Sequence, residues 1–177
     1  MQEVLPLPEG VQSFNPSDYV SFGFGGDGAF GAIDKVKLKH IVSGDTYALK
    51  KFAFTNERDR DVASNELEML KSLNNENVVG CLGLYSAPGE IRILMELMDS
   101  DMTTFTSKDE KLLAKVAVKV LSGLKYLRDN SILHLDIKPA NLLSKSGTDV
   151  IKIADFGCSI NLSAAAGKLW NFHVAIF

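Results

Sequence analysis

The sequence predicts an α+β fold: a five-stranded sheet carrying one inserted helix, then the beginning of a helical region. Three observations point there. Residues 32–40 (AIDKVKLKH) alternate Val36 and Leu38 with Lys35, Lys37 and Lys39, the two-residue period of a strand with one wet face. Residues 108–128 repeat Leu113, Val116, Val120, Leu124 and Leu127 at spacings of three and four, the period of a helix, and Lys115, Lys119 and Lys125 fall off that stripe. Strands and helices are grouped along the chain and do not alternate one by one, which excludes a βαβ parallel sheet.

Taken in order, residues 1–18 contain prolines at positions 6, 8 and 16 and read as an irregular lead-in. Tyr19 to Phe24 is a short strand, followed by the glycine cluster Gly23, Gly25, Gly26, Gly28 and Gly31. After the strand at 32–40, Ser43-Gly44-Asp45 marks a turn and residues 46–54 (TYALKKFAF) a third strand. Residues 56–73 switch to helical spacing, with Val62, Glu66, Leu70 and Leu73 on one stripe. Val78 to Ser86 and Ile91 to Met98 are strand-like runs on either side of Pro88-Gly89. Beyond the helix at 108–128 come a polar loop, a short strand near Val150–Ile153 and the loop at Asp155-Phe156-Gly157.

The bulk properties suit one ordinary globular domain: 177 residues, 46% hydrophobic and 23% charged. A net charge of -3 and an isoelectric point near 5.6 argue against a dedicated nucleic-acid binder. The lysines at 35, 37 and 39 read as the solvated face of their strand. The cysteines, Cys81 and Cys158, form no C-x-x-C pair and no metal-ligand spacing, so free thiols are expected. No stretch approaches the ~18 apolar residues of a membrane span, and the N-terminus lacks the basic start and apolar run of a signal peptide. A cytoplasmic or nuclear location is the expectation. Asn161-Leu162-Ser163 fits a glycosylation sequon, which carries no meaning there.

Four groups of residues carry chemistry. Gly26-Asp27-Gly28-Ala29-Phe30-Gly31 is a G-x-G-x-x-G. Alone it fits a flexible surface loop equally well. A dinucleotide fold would need a helix directly after it, whereas here an alternating strand follows. A glycine hairpin between strands can lie over phosphates because no Cβ intervenes. In Tyr47-Ala48-Leu49-Lys50, Ala48 and Lys50 share a strand face, leaving room for a flat base beside a cation. Lys51 would serve an ordinary edge strand as well. Glu66 sits on the apolar stripe of its helix and needs a partner, for which Lys50 is the candidate; a half-exposed glutamate facing solvent is the competing reading. The fourth group is the most specific. His134-Leu135-Asp136-Ile137-Lys138-Pro139-Ala140-Asn141 is followed, 14 residues after Asn141, by Asp155-Phe156-Gly157. Phosphoryl transfer calls for a carboxylate to accept a hydroxyl proton, a cation against the moving phosphate, and Asn and Asp oxygens for Mg2+. Asp136, Lys138, Asn141 and Asp155 supply them in order.

With these motifs, residues 19–163 resemble the protein kinase catalytic domain. The resemblance implies an N-lobe at about 19–98, the start of a C-lobe at 99–163 and an atypical tail at 164–177. It implies that Gly26, Gly28 and Gly31 cover ATP, that Lys50 pairs with Glu66, that Asp136 is the catalytic base, and that Asn141 and Asp155 hold the metal. Lys138 resembles the serine/threonine type. Met95 takes the gatekeeper place, and Glu96-Leu97-Met98 the hinge that bonds adenine through its backbone. Ile33, Ala48 and Leu143 would sandwich the base. Gly89 to Asp99 (GEIRILMELMD), Leu113-Ala114-Lys115-Val116 and Gly123 to Arg128 (GLKYLR) resemble MAP kinase kinases. His134-Leu135-Asp136 and Asp155-Phe156-Gly157-Cys158-Ser159 resemble Mos-type kinases. The implied activity is transfer of the γ-phosphate of ATP to Ser/Thr, or with dual specificity, on a protein substrate such as a downstream kinase.

The sequence departs from the family in three places. Leu135 replaces the arginine that usually receives an activation-loop phosphate, which puts that mode of activation in doubt. Gly25 replaces the leucine that caps the adenine site, with loss of a little apolar contact. After Gly157 only 20 residues follow, with no Ala-Pro-Glu and none of the later helices. Ser159 and Ser163 read as ordinary polar loop residues. The expectation is a chain ending before the substrate platform, with the apolar stripe of residues 108–128 facing water or covered by the apolar segment 167–177. A catalytically incomplete ATP-binding or partner-binding fragment is the alternative, and a fragment that does not fold alone is the third reading.

Overall fold

In the computed structural model the described residues are 12–28, 31–40, 44–54 and 56–165. Its centre is a six-stranded sheet with the order β1-β5-β6-β4-β3-β2. The strands are β1 (Gln12–Ser13), β2 (Tyr19–Gly28), β3 (Gly31–Leu38), β4 (Thr46–Ala53), β5 (Cys81–Ala87) and β6 (Glu90–Glu96). Helix α1 (Glu57–Ser72) is inserted between β4 and β5. The five expected strands are all present, as β2 to β6, and pair antiparallel. β1 is the addition: it pairs in parallel with β5, Gln12 against Gly83, so the end of the supposed lead-in is part of the sheet. A two-residue strand is too short for periodicity to reveal. Residues 1–11, at the front of that lead-in, lie outside the described residues, as does the apolar segment 167–177.

Strand alternation divides this sheet into two faces. Val36, Leu49 and Leu94 are buried on one, where Phe14, Tyr19 and Tyr47 cover them. Ala48, Phe52, Ile93 and Met95 are buried on the other against Leu67 and Leu70 of α1. Asn56 starts α1 by accepting the Asp59 N–H at 3.0 Å, and Glu57 and Asp59 complement the positive end of the helix dipole.

The second region is built around α2 (Glu110–Asp129), capped by Asp109, whose side chain accepts the Lys111 N–H at 2.9 Å. Its small strands are β7 (Ser100–Asp101), β8 (Ile132–Leu133), β9 (Leu142–Ser144), β10 (Ile151–Ile153) and β11 (Ile160–Asn161), and the short helix α3 (Leu162–Ala165) closes the described chain. β10 pairs with β9 and β9 with β7, while β11 pairs with β8. One continuous core joins both regions, running from Leu70 and Ile93 to Leu127, Ile153 and Phe156.

Helix α2 differs from the expectation. Its stripe is partly buried, with Leu127 fully buried, and it packs on β10 and β8; of the stripe only Leu113, at the N-terminal end, is exposed. The most exposed apolar side chains of the helix are instead Val118 (60% exposed) and Leu121 (64%). At ~100° per residue these two lie on the opposite side of the helix from Leu127 and Val120. Gly123 is what lets α2 approach: a Cβ there would stand 2.8 Å from the Asn77 carbonyl oxygen.

The glycine hairpin holds another surprise. A Cβ on Gly31 would sit 2.3 Å from the Lys51 carbonyl oxygen on the neighbouring strand. Gly31 is therefore required by the sheet itself, whatever lies over the loop. Gly31→Ala is expected to destabilise the fold by about 2–3 kcal/mol in urea denaturation; an unchanged midpoint would contradict this packing.

Candidate functional site

A cleft of about 560 Å³ lies between the two regions, a volume ordinary for a small-molecule site. Ile33, Ala48, Met95 and Leu143 provide apolar wall, Glu96, Leu97 and Met98 run along one edge, and Lys50, Glu66, Lys138, Asn141 and Asp155 lie at the polar end. Gly25 and Gly26 line it from the glycine hairpin, and Gly26 has φ of 128°, a conformation that favours glycine. Gly25 cannot carry a larger side chain as packed, since its Cβ would stand 2.9 Å from Ile33 Cγ2. Gly31 is held at the sheet and is not part of the wall, and the surroundings of Gly28 lie outside the described residues.

Alternation on β4 separates the two adjacent lysines. Lys50 is 2% exposed on the cleft side, while Lys51 is 39% exposed and pairs with Asp34. Lys50 Nζ donates to Glu66 Oε1 at 2.5 Å and to Asp155 Oδ1 at 3.0 Å. Glu66 is 1% exposed, and its Oε2 has no hydrogen-bond partner among the described residues. Burial pushes the Glu66 carboxyl above its ordinary value, opposed by the adjacent Lys50 ammonium. The competition in the sequence between a solvent-facing and a paired Glu66 is thus settled toward pairing. Val62, from the same stripe, has a side chain outside the described set.

The loop before β9 forms the second cluster. Asp136 Oδ2 accepts from Lys138 Nζ at 2.7 Å and from Asn141 Nδ2 at 2.9 Å. The Lys138 bond, chiefly, holds the Asp136 carboxyl below its usual range, so it is ionised at neutral pH. Asn141 Nδ2 also donates to the Asp136 carbonyl at 2.8 Å, so its amide nitrogen is committed and its Oδ1 is left as an acceptor. Asp155 adopts φ of 64°, a left-handed conformation that an Asp tolerates better than most residues. Asn141 and Asp155 thereby bring hard oxygen donors to the same wall. No set of three or more His, Cys, Asp or Glu is grouped as a metal cage among the described residues. A cation held here would draw its remaining ligands from a bound phosphate or water.

His134 and Phe156 support this loop from beneath. His134 Nδ1 accepts the Asp136 N–H at 3.3 Å, which assigns the proton to Nε2, and Nε2 donates to the Ala154 carbonyl at 3.0 Å. The ring meets Phe156 edge-on, with centroids 4.9 Å apart. Burial lowers the His134 pKa below its ordinary 6.5. An unfolded chain therefore takes up a proton near 6.5 that the folded chain resists. The stabilisation is complete above that pH and is lost as pH falls toward the depressed folded value. Urea midpoints are expected to fall between pH 7 and pH 5, and less steeply in His134→Gln; equal slopes would contradict a buried neutral imidazole.

Several residues here were misread or unread in the sequence. Lys35, expected on the solvated face of its strand, is half-buried on the cleft wall. Ser159, expected as an ordinary polar loop residue, is buried, and its Oγ donates to the His134 carbonyl at 3.3 Å. Asp99 and Asp101 line the cleft beyond Met98, both already bonded to neighbouring loop groups, Ser146 N and Thr103 N. Leu135 is exposed with φ of 63° and presents no cation there. Cys81 and Cys158 are free, and burial pushes the Cys81 thiol up to about 11. Among the described residues, no helix is long and apolar enough to cross a membrane.

The sequence matches the protein kinase domain over residues 19–174. The chain belongs to the protein kinase family. It is 40% identical over 149 residues to mitogen-activated protein kinase kinase 8 of Arabidopsis thaliana, covering 83% of this chain and 46% of that protein. It is 41% identical over 144 residues to mitogen-activated protein kinase kinase 7 of the same plant, covering 76% and 44%. Serine/threonine-protein kinase sid1 of Schizosaccharomyces pombe is 34% identical over 164 residues, covering 89% and 34%. The chain thus spans less than half the length of these relatives, and its closeness to the two plant kinases agrees with the resemblance to MAP kinase kinases. Within the kinase fold, the six-stranded sheet with α1 is the N-lobe, and the region around α2 is the start of the C-lobe.

Proposed function

We propose that this kinase domain binds ATP with Mg2+ in the interlobe cleft and that its parent protein transfers the γ-phosphate to Ser/Thr of a protein, in the manner of a MAP kinase kinase acting on a downstream kinase. The observation that carries the reading is the meeting of two clusters at the cleft: Lys50 with Glu66 at 2.5 Å and with Asp155 at 3.0 Å, and Asp136 with both Lys138 and Asn141. The Lys50–Asp155 bond joins groups 105 residues apart across the cleft, and together with Lys50–Glu66 it supports a site arranged for a nucleotide.

Each residue has a role that follows from its surroundings. Ala48, Ile33 and Leu143 form a slot for the flat base, and the backbone of Glu96–Met98 reads its polar edge. Met95 closes the inner end. Lys50, held by Glu66, presents a fixed cation to the phosphates. Asn141 Oδ1 and the Asp155 carboxylate are fitted to hold the divalent cation, which when bound neutralises charge on the phosphates. Asp136, ionised and free at Oδ1 among the described residues, accepts the proton of the attacking hydroxyl. Lys138, within hydrogen-bond reach of Asp136, offsets charge on the transferring group.

Incubation of the chain with γ-labelled ATP and mixed Ser, Thr and Tyr peptides tests this. The expected result is label on Ser/Thr that falls by about 10²–10⁴-fold in Asp136→Asn. ATP binding with no transfer would favour the other reading, a nucleotide-binding fragment that needs the remaining length of its relatives for turnover.

A further inference from the structure

One ion pair joins Glu96, on the edge of the cleft, to a lysine that does not line it. Lys152, in the middle of β10, donates from Nζ to Glu96 Oε1 at 2.7 Å. The same oxygen accepts the Gly80 N–H at 2.9 Å. Lys152 is only 14% exposed and Glu96 31%, so the pair is more shielded than the surface pairs of α2. Glu96 Oε1 is therefore a junction of three elements: the end of β6, the approach to β5, and β10.

The same seam is stitched by backbone. Val79 N–H donates to the Ile153 carbonyl and Ile153 N–H to the Asn77 carbonyl, both at 2.9 Å, and Asn77 Nδ2 donates to the Ile151 carbonyl at 3.1 Å. These bonds bind residues 77–79 to β10 but do not reach the hinge. Among the described residues, the Lys152–Glu96 pair is the direct side-chain tie from the hinge to β10, the strand that leads to Asp155, while Asp99 and Ser100 beyond the hinge are joined to Ser144 of β9, which pairs with β10.

We propose that Lys152 is a positioning residue: through Glu96 it sets the distance between the hinge, which reads the base, and Asp155, at the phosphate end. This rests on the nucleotide site proposed above. It makes a claim that a general stabilising role does not. A ligand touching only the hinge depends little on that distance, whereas one spanning hinge and metal end depends on it strongly.

The test is calorimetric titration of the whole chain with adenosine and with Mg·ADP, for wild type, Lys152→Met and Lys152→Arg, with an apo melt of each. Lys152→Met is expected to weaken Mg·ADP about tenfold and adenosine less than twofold. Lys152→Arg, which keeps the charge and the donor, is expected to restore most of the Mg·ADP affinity. Equal losses for both ligands, or an unchanged Mg·ADP affinity in Lys152→Met, would overturn the positioning role while leaving the nucleotide site intact. A wild type that binds neither ligand would overturn the site and this inference together. If Lys152→Met does not fold, Lys152→Gln is titrated in its place, with the same ligand ratio deciding.

Discussion

Lys50→Met is expected to lose the rise in melting temperature that Mg·ATP gives the wild type, and to lower the stability of the apo chain by about 3–5 kcal/mol. Both effects come from the same geometry. Lys50 is buried between Glu66 and Asp155, so removing its charge leaves Glu66 as an unpaired carboxylate at 1% exposure. An uncompensated buried charge costs far more than the pair itself contributes. The burial that already raises the Glu66 pKa would then act unopposed, and the carboxyl would take up a proton to remain inside. The two effects separate in the double variant Lys50→Met with Glu66→Leu. That chain is expected to recover much of the stability, because an apolar pair of similar volume replaces the ions, and to recover none of the nucleotide response. Melts of the three proteins with and without Mg·ATP check this. A double variant that still responds to nucleotide would show that Lys50 does not face the phosphates.

Asp155→Asn is the second large effect, and it separates metal from nucleotide. Asn tolerates the left-handed backbone at φ of 64°, and Lys50 keeps Glu66 as a partner, so the fold is expected to remain within about 1 kcal/mol of wild type. The amide removes the charge that would hold the cation. The prediction is that ADP alone raises the melting temperature equally in wild type and variant, while the further rise produced by added Mg2+ is present only in wild type. A variant that keeps the Mg2+ increment would move the metal away from Asp155.

The sequence made the architecture legible where elements are long and periodic. The alternation in 32–40, the helical spacing in 56–73 and the order of strands before α2 all appear in the structure at close to their expected bounds. The motif residues were legible for a different reason: phosphoryl transfer constrains residue type and order together, so Asp136, Lys138, Asn141 and Asp155 stand out even without a fold. What could not be read was contact between elements far apart. β1 runs parallel to β5, a strand far along the chain, and nothing in Gln12–Ser13 encodes that. Ser159 is polar by residue type and buried by position, under the His134 carbonyl. The stripe on α2 was identified correctly, but which side would meet β10 depends on Gly123 and Asn77 touching across the lobe. The junction at Glu96 Oε1 joins residues 80, 96 and 152, a pairing that no local pattern reveals.

The two adjacent lysines show where chemistry ends and geometry begins. Sequence gave Lys50 and Lys51 equal standing as cations, and context alone favoured the first. In the fold, one-residue alternation places them on opposite faces of β4, Lys50 on Glu66 and Lys51 on Asp34. A register slip of one residue would exchange them and bury the wrong lysine, which is why the pairing of Lys50 with Ile93 across β4 and β6 matters as much as the motif.

The measurement that bears most directly on the account is an equilibrium titration of the wild-type chain with a fluorescent ATP analogue, with and without Mg2+. The account predicts saturable binding at one site, tightened by Mg2+ and competed by unlabelled ATP. Absence of saturable binding by a chain that melts cooperatively would contradict it.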